Sequence, residues 1–246
     1  MDGLIDVHCH ILPYVDDGAE NMEQALALLQ MQQEQGVSTV IVTPHFRKGV
    51  FESSQEKVIN WFHRLQKEAE QLGCGLSLQL GREYYCNSGF SEILRSGNVQ
   101  TLGNSSCVLI EFSGRHSLED IYAYLKAVKN AGYQPVIAHV ERYEILRKHP
   151  EELAALVQAG ACCQINAGSI IGEDGWRVKH ICRRWMKENL IHLVGSDCHR
   201  TYERIPNLGK AAAYVEKKMG KAYARQIFYD NPTALLNTAS AATEER

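Results

Sequence analysis

No part of the chain approaches the roughly 20 consecutive apolar residues that a membrane-crossing helix needs. Nor does it start with a basic segment running into an apolar core, as a secretory signal would. The eight cysteines never fall into a Cys-x-x-Cys pair or a regular framework. Scattered thiols in a chain able to bury a large core fit small packed side chains in a reducing compartment better than disulfides, so a cytoplasmic protein is expected. Charge of either sign is also not in excess: Lys plus Arg number 26 and Asp plus Glu 29, a net charge of −3, with no basic clusters. That balance gives no reason to expect nucleic acid or an anionic membrane as partner, and an anionic substrate would need a local positive site. Linker-like Pro/Gly/Ser stretches, low-complexity tracts and internal repeats are missing as well. One domain over residues 1–240 is expected, with a frayed polar tail at 241–246.

What is present is alternation. Short β-rich apolar runs occur at 4–8, 38–43, 75–81, 106–112, 134–139, 162–166 and 191–196. Helical stretches lie between them at 21–36, 53–73, 117–132, 149–160 and 175–190, and the C-terminal segment reads as two short helices. Gly36, Gly73, Gly132 and Gly160 stand where helix C-termini favour glycine. Continuous apolar strands imply a parallel sheet buried on both faces. The expected fold is therefore α/β, a single-domain distorted (β/α) barrel of seven units.

In such a barrel, functional groups collect at the C-terminal ends of the strands. Six of the seven strand ends carry a histidine or an acid: His8 and His10, His45, Glu83, Glu111, His139, then Asp197 and His199. His8 and His10 share a face because strand side chains alternate, which turns Cys9 away. The loop after the first strand adds Asp16 and Asp17, with Gly18 allowing a tight turn. One such residue alone is usually hydrogen-bonded or solvated, but six strand ends in step are not explained that way. Clustered carboxylates repel unless cations separate them, and mixed His/carboxylate donors suit Zn, Mn or Fe. The pattern points to a multinuclear metal site.

Arg142 and Arg204 lie in loops just past His139 and His199, where a guanidinium can grip a phosphoryl group in bidentate fashion. Arg200 and Arg47 are near the same mouth with weaker claims. Cys198 and Arg204 have the C-x5-R spacing of cysteine-dependent phosphatases, but the intervening His-Arg-Thr-Tyr-Glu is too bulky to form a phosphate cradle.

Together, "DVHCHILPYVDDGA", "TPH", "GREYY", "LIEFS", "AHVERY" and "GSDCH" resemble the polymerase and histidinol phosphatase (PHP) superfamily. Within it they are most similar to the manganese-dependent protein-tyrosine phosphatases of bacterial capsular and exopolysaccharide loci. The resemblance implies a distorted seven-stranded barrel with three metal ions. Their ligands would be His8, His10, Glu83 and Asp197 for one, Glu83, Glu111 and His139 for a second, and Asp17, His45 and His199 for the third. It assigns Arg142 and Arg204 to holding phosphate, manganese as the metal with zinc or iron as substitutes, and a metal-activated hydroxide as the nucleophile. The implied partner is a phosphotyrosine protein, the tail of a bacterial tyrosine kinase. Arg200 replaces an asparagine frequent in that family, which could alter charge at the mouth.

Three rivals share parts of this reading. A PHP phosphatase for a small metabolite, such as histidinol phosphate, would use the same metals. A PHP exonuclease is disfavoured by the lack of basic clusters, and a metal-stabilised binding module would lose the reason for paired arginines.

Overall fold

The structure, a computed structural model, describes residues 3–238; the tail expected at 241–246 lies outside them. The first half runs β1 (Leu4–Cys9), α1 (Met22–Glu34), β2 (Val37–Val42), β3 (His45–Phe46), α2 (Gln55–Gln71), β4 (Ser77–Leu80), β5 (Glu83–Tyr85), α3 (Ser88–Ser96) and β6 (Cys107–Glu111). The second half continues with α4 (Leu118–Asn130), β7 (Gln134–Ile137), α5 (Glu144–Lys148), α6 (Pro150–Gln158), β8 (Cys162–Asn166), α7 (Ala167–Ile171) and α8 (Trp176–Lys187). It ends with β9 (Leu193–Gly195), α9 (Leu208–Met219), α10 (Lys221–Arg225) and α11 (Asn231–Leu236). The helices end where the sequence suggested: Gly36, Gly73, Gly132 and Gly160 all take positive φ just past α1, α2, α4 and α6. Helices α3 and α9 have no counterpart in the sequence reading. One is only nine residues long, and the other buries mostly small side chains, Ala211 and Ala212 between Leu208 and Val215.

Every strand pair is parallel, in two curled sheets ordered β1-β2-β4 and β3-β5-β6-β7-β8-β9. The strands expected at 38–43 and 75–81 do not end there. Each breaks and continues in the other sheet, across Thr43-Pro44 and across Gly81-Arg82. Pro44 offers no N–H to a ladder. At Gly81 a Cβ would sit 2.7 Å from Leu102 Cδ2, so any side chain there would have to displace the buried Leu102. His45 and Glu83 therefore open new, paired strands, opposite one another in register.

Two apolar clusters explain the continuous apolar strands. A small one inside the curl contains Ile5, Val7, Ile41, Leu109, Val136, Ala138 and Leu193, with Leu102 and Leu235. A larger one lies between strands and helices. On β1, Asp6 stands opposite Val40 but Cys9 opposite Val42, so β1 carries one extra residue, a bulge. The bulge changes the facing phase. Ile5 and Val7 belong to the inner cluster, whereas Cys9 belongs to the outer one and leaves His8 and His10 turned inward. Past β9, Asp197 N–H donates to His8 O and His10 N–H donates to Cys198 O, both at 2.8 Å, so the chain returns to β1. Among the described residues no helix is long and apolar enough to cross a membrane.

Candidate metal centre

The strand-end residues converge. His8 and His10 bring their Nε2 atoms to 3.1 Å. Glu83 Oε2 lies 3.3 Å from each of those nitrogens, and Asp197 Oδ1 is 3.7 and 3.4 Å from them. Bonds of about 2.1 Å to one ion place neighbouring donors about 3.0–3.4 Å apart, close to this spacing. Beside this group, His139 Nε2 is 2.9 Å from Glu83 Oε1 and 3.7 Å from Glu111 Oε1. On the other side, Asp17 Oδ1 is 3.7 Å from both His45 Nε2 and His199 Nε2. All nine sequence candidates are thus together. The sharing is wider than three separate sets: His10 also stands within reach of Asp17, His45 and His199, and His45 within reach of Glu83 and Glu111.

These donors fit divalent cations. Glu83 Oε2 is fully buried and accepts no hydrogen bond, although three imidazole nitrogens, of His8, His10 and His45, stand 2.9–3.3 Å away. Lone pairs directed at a shared point, rather than N–H groups directed at the oxygen, account for that. Burial, and then the charge of Glu83, pushes the Glu111 carboxyl up to about 7. For His10, burial opposes protonation but is outweighed by Asp16, Asp197 and Glu83, which raise its pKa well above the usual value. Carboxylates this crowded need protons or cations between them. The set holds imidazole and carboxylate and no thiolate, as Mn, Fe and Zn accept.

The supporting residues come partly from β8, the one strand whose end offered no ligand. Gln164 Oε1 is 3.2 Å from His8 Nδ1 and accepts the His139 N–H at 2.8 Å. It thereby assigns the proton to His8 Nδ1 and frees Nε2 for the centre. Asn166 Nδ2 donates to Asp197 Oδ2 at 2.7 Å. Asp16, adjacent to Asp17 but with its side chain wholly buried, accepts from His10 Nδ1 (2.9 Å) and from the backbone N–H of His45 (2.8 Å). Burial works against its ionisation, but the His10 hydrogen bond and the His10 and His45 charges bring it down to about 2. Asp6, also buried, accepts the Ser196 N–H at 2.8 Å and the His8 N–H at 3.3 Å, tying β9 to the β1 bulge. His139, Asp197 and Arg204 all have φ between 33° and 51°, a left-handed conformation that side chains rarely adopt and that concentrates at functional sites.

Arg142 Nη1 and Arg204 Nη2 reach the same atom, Asp197 Oδ2, at 2.8 and 2.5 Å. Arg204 Nη1 also lies 2.9 Å from His199 Nε2. Both guanidinium side chains are about one-third exposed (38% and 34%) above a buried carboxylate, so their free N–H groups face the mouth. Arg200 points along the rim to Glu20 (3.4 Å) and the Tyr202 hydroxyl (3.0 Å). Cys198 is fully buried in the outer apolar cluster. It is on the opposite side of the strand from the centre, which removes it as a nucleophile.

The sequence profile of the family described as "Capsular polysaccharide synthesis, CpsB/CapC" matches residues 4–237. The tyrosine-protein phosphatase CpsB of Streptococcus agalactiae is 35% identical over 238 residues, covering 95% of this chain and 98% of that one. The tyrosine-protein phosphatase YwqE of Bacillus subtilis is 33% identical over 88% of this chain and 85% of its own. A solved structure from the pair YwqE of B. subtilis and CpsB of Streptococcus pneumoniae, described as metal-dependent tyrosine phosphatases, aligns with a TM-score of 0.89 at 31% identity over 96% of each chain. Histidinol phosphate phosphatase of Lactococcus lactis shares the fold more distantly, with a TM-score of 0.56 at 17% identity over 89% of this chain and 95% of its own. With its profile matched over nearly the whole length, the chain belongs to the CpsB/CapC family.

Proposed function

We infer that this chain is a metal-dependent protein-tyrosine phosphatase, a phosphoric monoester hydrolase. One observation carries the mechanism: Asp197 offers one carboxylate oxygen to the imidazole cluster and the other to two arginines. The cation site and the anion site are thereby fixed to a single side chain. His8, His10, Asp17, His45, Glu83, Glu111, His139, Asp197 and His199 hold the metals, taken to be three manganese ions, with zinc or iron as substitutes. When bound, the ions supply Lewis acidity and a water of lowered pKa.

The chain's own residues do the rest. Arg142 and Arg204 place their exposed N–H groups around the phosphoryl oxygens and neutralise charge that grows there, the main demand of phosphoryl transfer. Asn166 and the arginines keep Asp197 from rotating. Among the described residues the mouth shows no dedicated general acid besides the candidate ligands, and a tyrosyl leaving group with a pKa of about 10 needs little protonation compared with an alkoxide. The two cavities that Arg204 lines measure about 150 and 160 Å³, and a wider one of about 670 Å³ runs outward from Arg142 along Glu144, Arg147 and Arg177.

The finer architecture is a single-domain distorted (β/α)7 barrel: with each broken strand counted once there are seven passes, and the hydrogen bonds from Asp197 N–H to His8 O and from His10 N–H to Cys198 O support closure. The protein works in the cytoplasm on the phosphorylated tail of a bacterial tyrosine kinase in capsular or exopolysaccharide synthesis. The test compares a phosphotyrosine peptide with histidinol phosphate, after chelation and after manganese is restored. Metal-dependent turnover favouring the peptide is expected; preference for histidinol phosphate would overturn the protein-substrate reading.

A further inference from the structure

β3 and β5 pair in register, with His45 opposite Glu83. Two residues on, side chains return to the same face of a strand, which puts Arg47 and Tyr85 directly above that pair. They meet there: the Arg47 guanidinium carbon lies 4.2 Å from the Tyr85 ring centroid. Phe51 completes the layer. The 47–51 loop closes on itself through Arg47 N–H to Phe51 O and Phe51 N–H to Arg47 O, both 2.8 Å. This sets the Phe51 ring nearly parallel to His45, at 9° with centroids 5.4 Å apart. Arg47 is exposed, and Phe51 and Tyr85 are half-buried. Their chemistry is not used by the centre below, and the part of the Phe51 ring that stays exposed beside His45 can meet another ring.

We propose that Phe51 and the Arg47–Tyr85 stack form an aryl-binding rim that recognises the ring of the substrate's phosphotyrosine. This rests on the phosphatase reading above and adds the leaving-group pocket to it. Two residues along a strand advance about 6.6 Å, roughly the reach of an aryl ring above its ester phosphorus. A phosphoryl group at the level of His45 and Glu83 thus carries its ring into the layer of Phe51, Arg47 and Tyr85. Offset stacking on Phe51 and a cation–π contact with Arg47 are open to an aryl ester. An alkyl phosphate reaches neither.

The test uses the manganese-loaded enzyme with p-nitrophenyl phosphate as reporter and two inhibitors that cannot turn over, benzylphosphonate and methylphosphonate. The ratio of their inhibition constants isolates ring recognition from leaving-group chemistry. In the wild type benzylphosphonate is expected to bind the tighter. Phe51→Leu keeps apolar volume against His45 and is expected to cut that preference by about twofold to tenfold, the range for one aromatic pair, while Phe51→Tyr retains it. Arg47→Gln is expected to lower it in the same direction. An unchanged ratio in Phe51→Leu and Arg47→Gln, or equal weakening of both inhibitors, would overturn the rim and leave the phosphatase reading standing. A wild type that hydrolyses no phosphate ester with manganese would overturn both.

Discussion

His8 and His10 direct their Nε2 atoms to one point, 3.1 Å apart, while the residue between them is turned into the outer core. Two such nitrogens facing each other beside two buried carboxylates are stable only with something positive between them.

Chelation is therefore expected to cost stability as well as activity. Binding at 100 times Kd adds about 2.7 kcal/mol per site, and each kcal/mol moves Tm about 2–4 °C at this chain size. Scanning calorimetry of manganese-loaded and chelated protein is expected to differ by about 5–10 °C or more, with the higher Tm returning on re-addition. Equal Tm values would remove the metal centre from the account.

Gln164→Leu tests the support from β8. It removes the acceptor for His8 Nδ1 and for the His139 N–H, so His8 loses its reason to present Nε2. Manganese affinity is expected to fall about 10- to 100-fold, with much of kcat recovered at saturating metal. Titration of metal against activity separates this from a direct loss of catalysis.

Gln164 also marks where the sequence became silent. The candidate ligands stood out because histidine and carboxylate at six strand ends have no bland explanation, and the structure brings them together. A neutral amide inside "CCQIN" carries no such signal, and its role exists only because β8 pairs with β7 and β9. Asp16 and Asp17 were both visible, but which one is buried against His10 depends on the turn at Gly18. The breaks at Pro44 and Gly81 were hidden for another reason: each interrupts its strand for only two residues, and the same two passes pair again beyond it, β2 with β4 and then β3 with β5.

Gly18→Ala addresses that turn. A Cβ there would fall 1.9 Å from His10 O, a backbone atom that cannot move aside, and His10 O is the acceptor for Ala19 N–H. The 16–19 loop must shift, taking Asp16 and Asp17 with it. Weaker manganese binding and a loss of activity larger than any loss of Tm are expected. Wild-type metal affinity in this variant would show that the loop does not hold the centre.

Cys198→Ser is expected to leave turnover close to wild type at saturating manganese. The thiol is wholly buried in the outer cluster, with the Gln32 amide at 3.7 Å as a polar neighbour, so serine is accommodated at a modest stability cost. Loss of activity with retained metal and fold would reinstate the C-x5-R nucleophile.

Arg142→Ala and Arg204→Ala carry the most information together, because both guanidinium groups end on Asp197 Oδ2. Each removes a proposed phosphoryl donor, which is expected to lower kcat/KM by about 10²-fold, in line with the loss of one oxyanion donor. Each also leaves the other arginine to hold Asp197, so metal is expected to be retained in the single variants. The double variant frees Asp197 Oδ2 except for Asn166, so its metal affinity is expected to drop by more than the two single changes combined, the signature of groups sharing one partner. A lysine at either position restores charge but not the forked pair of N–H groups, and is expected to recover only part of kcat/KM. Additive losses of metal affinity would mean that the two arginines act on the centre independently, and unchanged affinity in the double variant would mean that Asn166 and the backbone hold Asp197 while the arginines serve the phosphate alone.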